Sequence, residues 1–108
     1  MAKLSLVAGT VSKIMHIFVQ DSSVTTGAGL TGLTNNSAGL AARYIRAGEN
    51  ASVAITVTSA ALGTFTSGGF IEVEASAMPG VYEIGLPNAV CSANAKSAVV
   101  MYRGASNM

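Results

Sequence analysis

The chain has 108 residues, a mass of 10.8 kDa and a net charge of +1 from six Lys/Arg and five Asp/Glu. Ala, Gly, Ser and Thr fill 51 of its positions, and charged residues make up 10%, against about 25% in an ordinary soluble domain. The length suits one domain over residues 1–108, the 50% apolar content argues against disorder, the charge balance argues against a nucleic-acid partner, and no apolar run approaches the ~20 residues that span a bilayer.

Lys3 to Ala8 alternates weakly and opens the series of candidate strands. The apolar stretch before Gly9 is shorter than the core of a secretion signal, which points to synthesis in a cytosol and makes Asn35-Asn-Ser37 and Asn50-Ala-Ser52 chance matches to the glycosylation pattern. Lys13 to Gln20 puts Ile14, His16 and Phe18 on one face and Met15, Ile17 and Val19 on the other, which suits a strand covered on both sides. Thr25 to Ser37 has no period and reads as a long Gly/Thr-rich loop.

Ser37 to Gly48 admits two readings. As a helix, Ser37 caps it, Leu40, Ala41, Tyr44 and Ile45 share a face, and Gly48 stops it; as a strand, Ala42, Tyr44 and Arg46 oppose Ala41, Arg43 and Ile45. The aromatic and β-branched pair near a turn favours the strand. Ser52 to Thr58 alternates cleanly, with Val53, Ile55 and Val57 on one face. In Phe70 to Glu74, Glu72 and Glu74 set a polar face opposite Ile71 and Val73, with Phe70 out of phase. Val81 to Leu86 and Ala98 to Arg103 complete the strands, with a helical turn expected within Asn88 to Lys96.

Turn chemistry separates these runs. Ala47-Gly-Glu-Asn50 and Ser67-Gly-Gly69 join neighbouring strands, Met78-Pro-Gly80 reads as a tight reversal, and Pro87 ends a strand because it has no N–H to donate. The expected fold is all-β: a single immunoglobulin-like β-sandwich of about 6–8 short strands with one long loop.

Chemical motifs are sparse. Gly27-Ala-Gly-Leu-Thr-Gly32 matches G-x-G-x-x-G, but Thr34, Asn35 and Asn36 follow where a dinucleotide site needs a helix. His16 is the single histidine and Cys91 the single cysteine, too few for a His/Cys metal centre; Cys91 has small neutral neighbours and reads as an inert buried residue. Glu72, Glu74 and Glu83 could pair as carboxylates, yet no set of sugar-stacking aromatics accompanies them. An enzyme would need His16 beside Asp21 or a glutamate in a concave pocket. Arg43 and Arg46 form a small basic pair that reads as solvated or salt-bridged. No catalytic, metal or cofactor-binding residue is assigned.

Scarcity of charge is the distinctive property. Free small domains carry about 25–35% charge on their surfaces and guard sheet edges with Lys or Pro. A surface of Ser, Thr, Asn and Gly costs little to desolvate, so the chain is expected to function inside an assembly.

Several segments resemble a known family. Phe18 to Leu33 (FVQDSSVTTGAGLTGL), Ser67 to Val73 (SGGFIEV), Met78 to Asn88 (MPGVYEIGLPN), Lys96 to Met101 (KSAVVM) and Gly104 to Met108 (GASNM) are similar, in order and spacing, to small immunoglobulin-like virion proteins of tailed bacteriophages. Related modules continue with another strand beyond the position of Asn107. The resemblance implies a non-enzymatic structural protein of the virion, made in the host cytoplasm. Its expected partners are other virion proteins, either the major capsid protein or tail components, in a homo-oligomer or symmetric array, without nucleic acid or membrane. A capsid decoration (cement) protein is favoured over a tail, baseplate or fibre adaptor. A host-glycan-binding module is a further alternative, with Asn35 and Asn36 presented by the loop and Tyr44 or Tyr82 stacking on a sugar.

Overall fold

A computed structural model describes residues 9, 11–92 and 96–108; the candidate strand Lys3 to Ala8 lies outside them, as do residues 93–95 of the expected helical turn. Among the described residues six strands follow in chain order: β1 (Ile14–Phe18), β2 (Ala41–Arg46), β3 (Val53–Ile55), β4 (Phe70–Glu74), β5 (Met78–Gly85) and β6 (Ala98–Arg103), with a 3-10 turn at Asn88–Cys91 before β6. They form two three-stranded antiparallel sheets, β1-β5-β4 and β3-β2-β6. The protein is thus an all-β sandwich.

The connectivity is that of an immunoglobulin domain. In that fold B, E and D lie side by side in one sheet and C′, C and F in the other, and the six strands here take those places in that chain order. Positions A and G have no counterpart among the described strands.

Period-2 alternation decides most of the packing. Met15 and Ile17 of β1 face inward with their register partners Ile84 and Tyr82, while His16 pairs with Glu83 on the outer face. Segment 37–48 resolves as the strand β2, with Ala42 and Tyr44 buried and Ala41 and Arg43 exposed. The strand wins over the helix because β3 and β6 satisfy its backbone on both sides.

Three expectations are corrected. The reversal expected at Met78-Pro79-Gly80 falls at residues 75–77 instead, and Met78, Pro79 and Gly80 open β5. Between Glu72↔Tyr82 and Glu74↔Met78 the β4–β5 register shifts, so the extra residues Pro79 and Gly80 bulge. A bulge tolerates a proline without an N–H and a glycine at φ +88°, the same properties that suggested a turn. In β4, Phe70 is in phase with the glutamates, and that phase faces inward: Phe70 pairs with Ile84 and Glu72 with Tyr82. The alternating strand expected over Ser52 to Thr58 shortens to Val53–Ile55, because Thr58 crosses to the other sheet and bridges Gly69.

The main core holds Val19, Leu30, Leu33, Phe70, Tyr82, Ile84, Leu86 and Ala105, and a smaller cluster holds Ala42, Tyr44, Ile55 and Val90. Phe70 sits between two tyrosines: its ring is 5.0 Å from Tyr82 in its own sheet and 5.6 Å from Tyr102 in the opposite one, both stacked. Burying each large apolar side chain this way contributes about 1.5–3 kcal/mol.

Candidate functional site

The long loop is not a free surface element. Leu30 and Leu33 are buried in the core, and Tyr82, fully buried, holds the loop by its hydroxyl, which donates to the Leu30 carbonyl at 2.6 Å and accepts from the Leu33 N–H at 3.3 Å. The Gly32 N–H adds a longer contact to the Glu72 carboxylate. Burial pushes the Tyr82 phenol above its ordinary range. The G-x-G-x-x-G stretch is this anchored loop, and turns rather than a helix follow it, so the backbone donors of a pyrophosphate site are not assembled. Its middle glycine packs on another strand: a Cβ on Gly29 would overlap the Pro79 carbonyl and approach the Gly80 Cα to 2.7 Å.

The carboxylates separate. Glu72 and Glu74 lie on β4, whereas Glu83 is buried on the outer face of β5. The Glu83 carboxylate accepts from the Gly63 N–H at 3.0 Å and meets His16 Nε2 at 3.3 Å. Asp21 instead binds the hydroxyl and N–H of Ser23, which lower its pKa. His16 therefore has a glutamate partner, and the pair lines neither the hollow beside Met101 nor the one beside Thr56. The bond from the Gly63 N–H to Glu83 ties the loop around Gly63 to β5. Among the described residues, no group of three or more His, Cys, Asp or Glu gathers at metal-binding distance, and no helix is long and apolar enough to cross a membrane.

The two arginines of β2 also part. Arg46 binds Glu49 at 2.9 Å, donates to the Ala89 carbonyl and Ser92 Oγ, and lies 5.9 Å from the Tyr44 ring centroid. Hydrogen bonding within this pair lowers the Glu49 pKa and raises that of Arg46. Arg43 points to the other face, where it donates to Ser52 Oγ at 2.7 Å and to the Ser52 carbonyl at 3.0 Å. Cys91 is a free thiol, half-buried against both core clusters.

The outer face of β3-β2-β6 carries a hollow. A groove of about 460 Å³ runs along it, lined by Ala41, Arg43, Ile45, Val99, Met101 and Arg103 among others. The register sets Arg43 beside Met101 and Ile45 beside Val99, and Val99 and Met101 are 58% and 52% exposed. Isolated exposed apolar residues are ordinary; these two are neighbours on one face of β6. No carboxylate lines the groove, and Arg103 has no ion-pair partner among the described residues. Sequence alternation places Val99 and Met101 on one face of β6 without telling which face is outside.

Of the residues expected to stack on a sugar, Tyr44 and Tyr82 are buried, and Asn35 bonds to the neighbouring Asn36; Phe18, by contrast, is 55% exposed. The chain matches no family model, and no curated protein or solved structure matches it.

Proposed function

We propose that this chain is a non-enzymatic structural protein of a tailed-phage virion, a decoration module set in many copies on the capsid. The observation that carries the assembly reading is the apolar, carboxylate-free groove on the outer face of β3-β2-β6, presented by a molecule with 10% charged residues. Such a face is inexpensive to dehydrate and leaves apolar area in water until another subunit covers it. The virion and its capsid rest on the segment resemblance, and the immunoglobulin-like sandwich agrees with it. The partners are other virion proteins, and synthesis takes place in the host cytoplasm. Burial of Tyr44 and Tyr82 removes the stacking surface that the glycan-binding alternative requires.

The test is the protein's stoichiometry and position in intact particles. Quantitative mass spectrometry should find copies in proportion to the major shell subunit, and a cryo-EM map should place the sandwich on the shell. A few copies per particle, with density in the tail, replaces decoration by the adaptor role. Absence from purified particles overturns the virion reading.

A further inference from the structure

Four of the five acidic side chains are engaged. Asp21 binds Ser23, Glu49 pairs with Arg46, half-buried Glu72 meets the Gly32 N–H, and Glu83 is buried against Gly63 and His16. Glu74 alone is exposed, touching Ser76 Oγ at 3.5 Å. Residues 1–8, 10 and 93–95 contain no Asp or Glu, so the comparison covers every carboxylate side chain of the sequence. Glu74 shares the inward phase of Phe70, yet at the end of β4 it reaches solvent. Its register partner across the hairpin is Met78, which is 48% exposed. Directly opposed residues of an antiparallel pair project to the same side, so a carboxylate and a thioether stand together at the hairpin tip. The turn between them, Ala75-Ser-Ala77, is small and exposed and shields neither.

The hollow on β3-β2-β6 is the chemical complement of that tip. Arg43 and Arg103 are diagonal neighbours on its outer face, because Arg43 pairs with Met101 and Arg103 with Ala41. Ser52 holds the Arg43 guanidinium through Nε and Nη2, and a guanidinium carries further N–H donors that can take a carboxylate. Exposed Val99 and Met101 add an apolar wall beside the two arginines. At about 460 Å³ the hollow lies within the range of about 300–1,000 Å³ that accepts a small ligand, and so has room for the side chains of a hairpin tip. The surface belongs to the face of the sheet, so a further strand beside β6 would widen the sheet without filling the hollow.

We infer that the β4–β5 hairpin tip of one copy of this chain seats in the β3-β2-β6 hollow of a second copy, with Glu74 against Arg43 and Arg103 and Met78 against Val99 and Met101. Charge selects this occupant. Two hollows face to face would oppose the arginines of both copies, and two tips would oppose glutamates, whereas tip in hollow sets the exposed carboxylate against two guanidinium groups. The same contact takes three exposed apolar side chains out of water. Because tip and hollow are different surfaces, each copy offers one of each. This inference deepens the assembly reading above by naming the contact, and it rests on that reading only for the presence of neighbouring copies.

The test is sedimentation velocity of the wild-type chain, Arg103→Glu, Glu74→Lys and an equimolar mixture of the two variants, over a salt series. The wild type should self-associate, less so as salt rises, and each variant alone should lose about tenfold in association. The mixture should recover association, because the unaltered tip of the first variant meets the unaltered hollow of the second. Misfolded variants cannot rescue one another, so recovery separates contact from folding. Cross-linking then fixes the geometry. In a Cys91→Ala background, Met78→Cys and Met101→Cys chains mixed under mild oxidation should join to each other about tenfold faster than either joins to Leu62→Cys, an exposed position outside both surfaces. Association lost in Arg103→Glu but unchanged in Glu74→Lys would mean that something other than the tip fills the hollow, and it overturns the inference. A mixture that fails to recover, or a cross-link no faster than the control, does the same. A wild type monomeric at millimolar concentration also overturns it, while the protein's position in particles still decides the virion reading.

Discussion

Phe70 of β4 and Tyr102 of β6 stack across the sandwich, ring centroids 5.6 Å apart and planes inclined by 26°. Because Phe70 also stacks on Tyr82 at 5.0 Å, one phenylalanine clamps the two sheets together. Phe70→Ala is expected to lower unfolding free energy by about 3–5 kcal/mol, since it removes a buried ring and leaves a cavity between two rigid neighbours. Urea denaturation followed by far-UV circular dichroism measures the change. A loss below about 1 kcal/mol would mean the clamp closes over the gap.

Two buried phenols should respond oppositely to the same substitution. Tyr82→Phe strands the Leu30 carbonyl and the Leu33 N–H inside the core, at a cost of about 2–3 kcal/mol. Tyr102→Phe removes a hydroxyl that has no partner among the described residues, and stability should rise by about 1 kcal/mol. Equilibrium unfolding of both variants beside the wild type settles the sign. A destabilised Tyr102→Phe would reveal a partner for that hydroxyl.

Tyr102 also sets an alkaline limit. Burial pushes its phenol up to about 12, from an ordinary 10.0. The folded state then holds the proton more tightly than the unfolded chain, so this contribution is fully present below pH 10 and is lost as pH rises from there through 12. About 2–3 kcal/mol should disappear across that window in the wild type, and the loss should be much smaller in Tyr102→Phe. Thermal melts at stepped alkaline pH compare the two chains directly.

Glu83 holds the loop around Gly63. Its buried carboxylate accepts from the Gly63 N–H at 3.0 Å, while the contact with the more exposed His16 is longer. Glu83→Ala should therefore expose the Gly63 amide to hydrogen exchange and cost about 1–3 kcal/mol. His16→Ala should cost under about 1 kcal/mol, the range of exposed pairs. Equal effects from the two substitutions would contradict this division.

The strands were legible where local alternation and a turn agreed: β2 and β6 follow the expected phase, whereas β1, expected to be covered on both sides, leaves His16 and Phe18 exposed, because only its Met15 and Ile17 face pack on the core. Phe70 was not, because its inward phase is imposed by Tyr82 and Tyr102, far away in sequence. Met78-Pro79-Gly80 carries a turn signature that a bulge satisfies equally well. The anchoring of the 25–37 loop depends on a tyrosine hydroxyl about fifty residues away, a contact no local pattern encodes. For the groove, composition announced a poorly charged surface, but only the pairing of β2 with β6 assigns Val99 and Met101 to its outer side.

Gly29 tests whether that anchoring depends on backbone contact. Within the G-x-G-x-x-G stretch, Gly27 has φ +78° and open space around its missing side chain, whereas a Cβ on Gly29 would run into the Pro79 carbonyl and the Gly80 Cα. Gly27→Ala should cost about 1 kcal/mol, the penalty of a left-handed conformation for an L-residue. Gly29→Ala must also push the loop off β5, which should cost about 2–3 kcal/mol and lengthen the Tyr82 hydroxyl contact to Leu30. Thermal denaturation separates the two glycines, and hydrogen exchange at the Leu33 amide, whose N–H reaches the same hydroxyl, reports the displacement. If both variants lose the same stability and Leu33 stays protected, the loop is held by Leu30 and Leu33 burial alone, and the close approach of Gly29 to β5 contributes nothing.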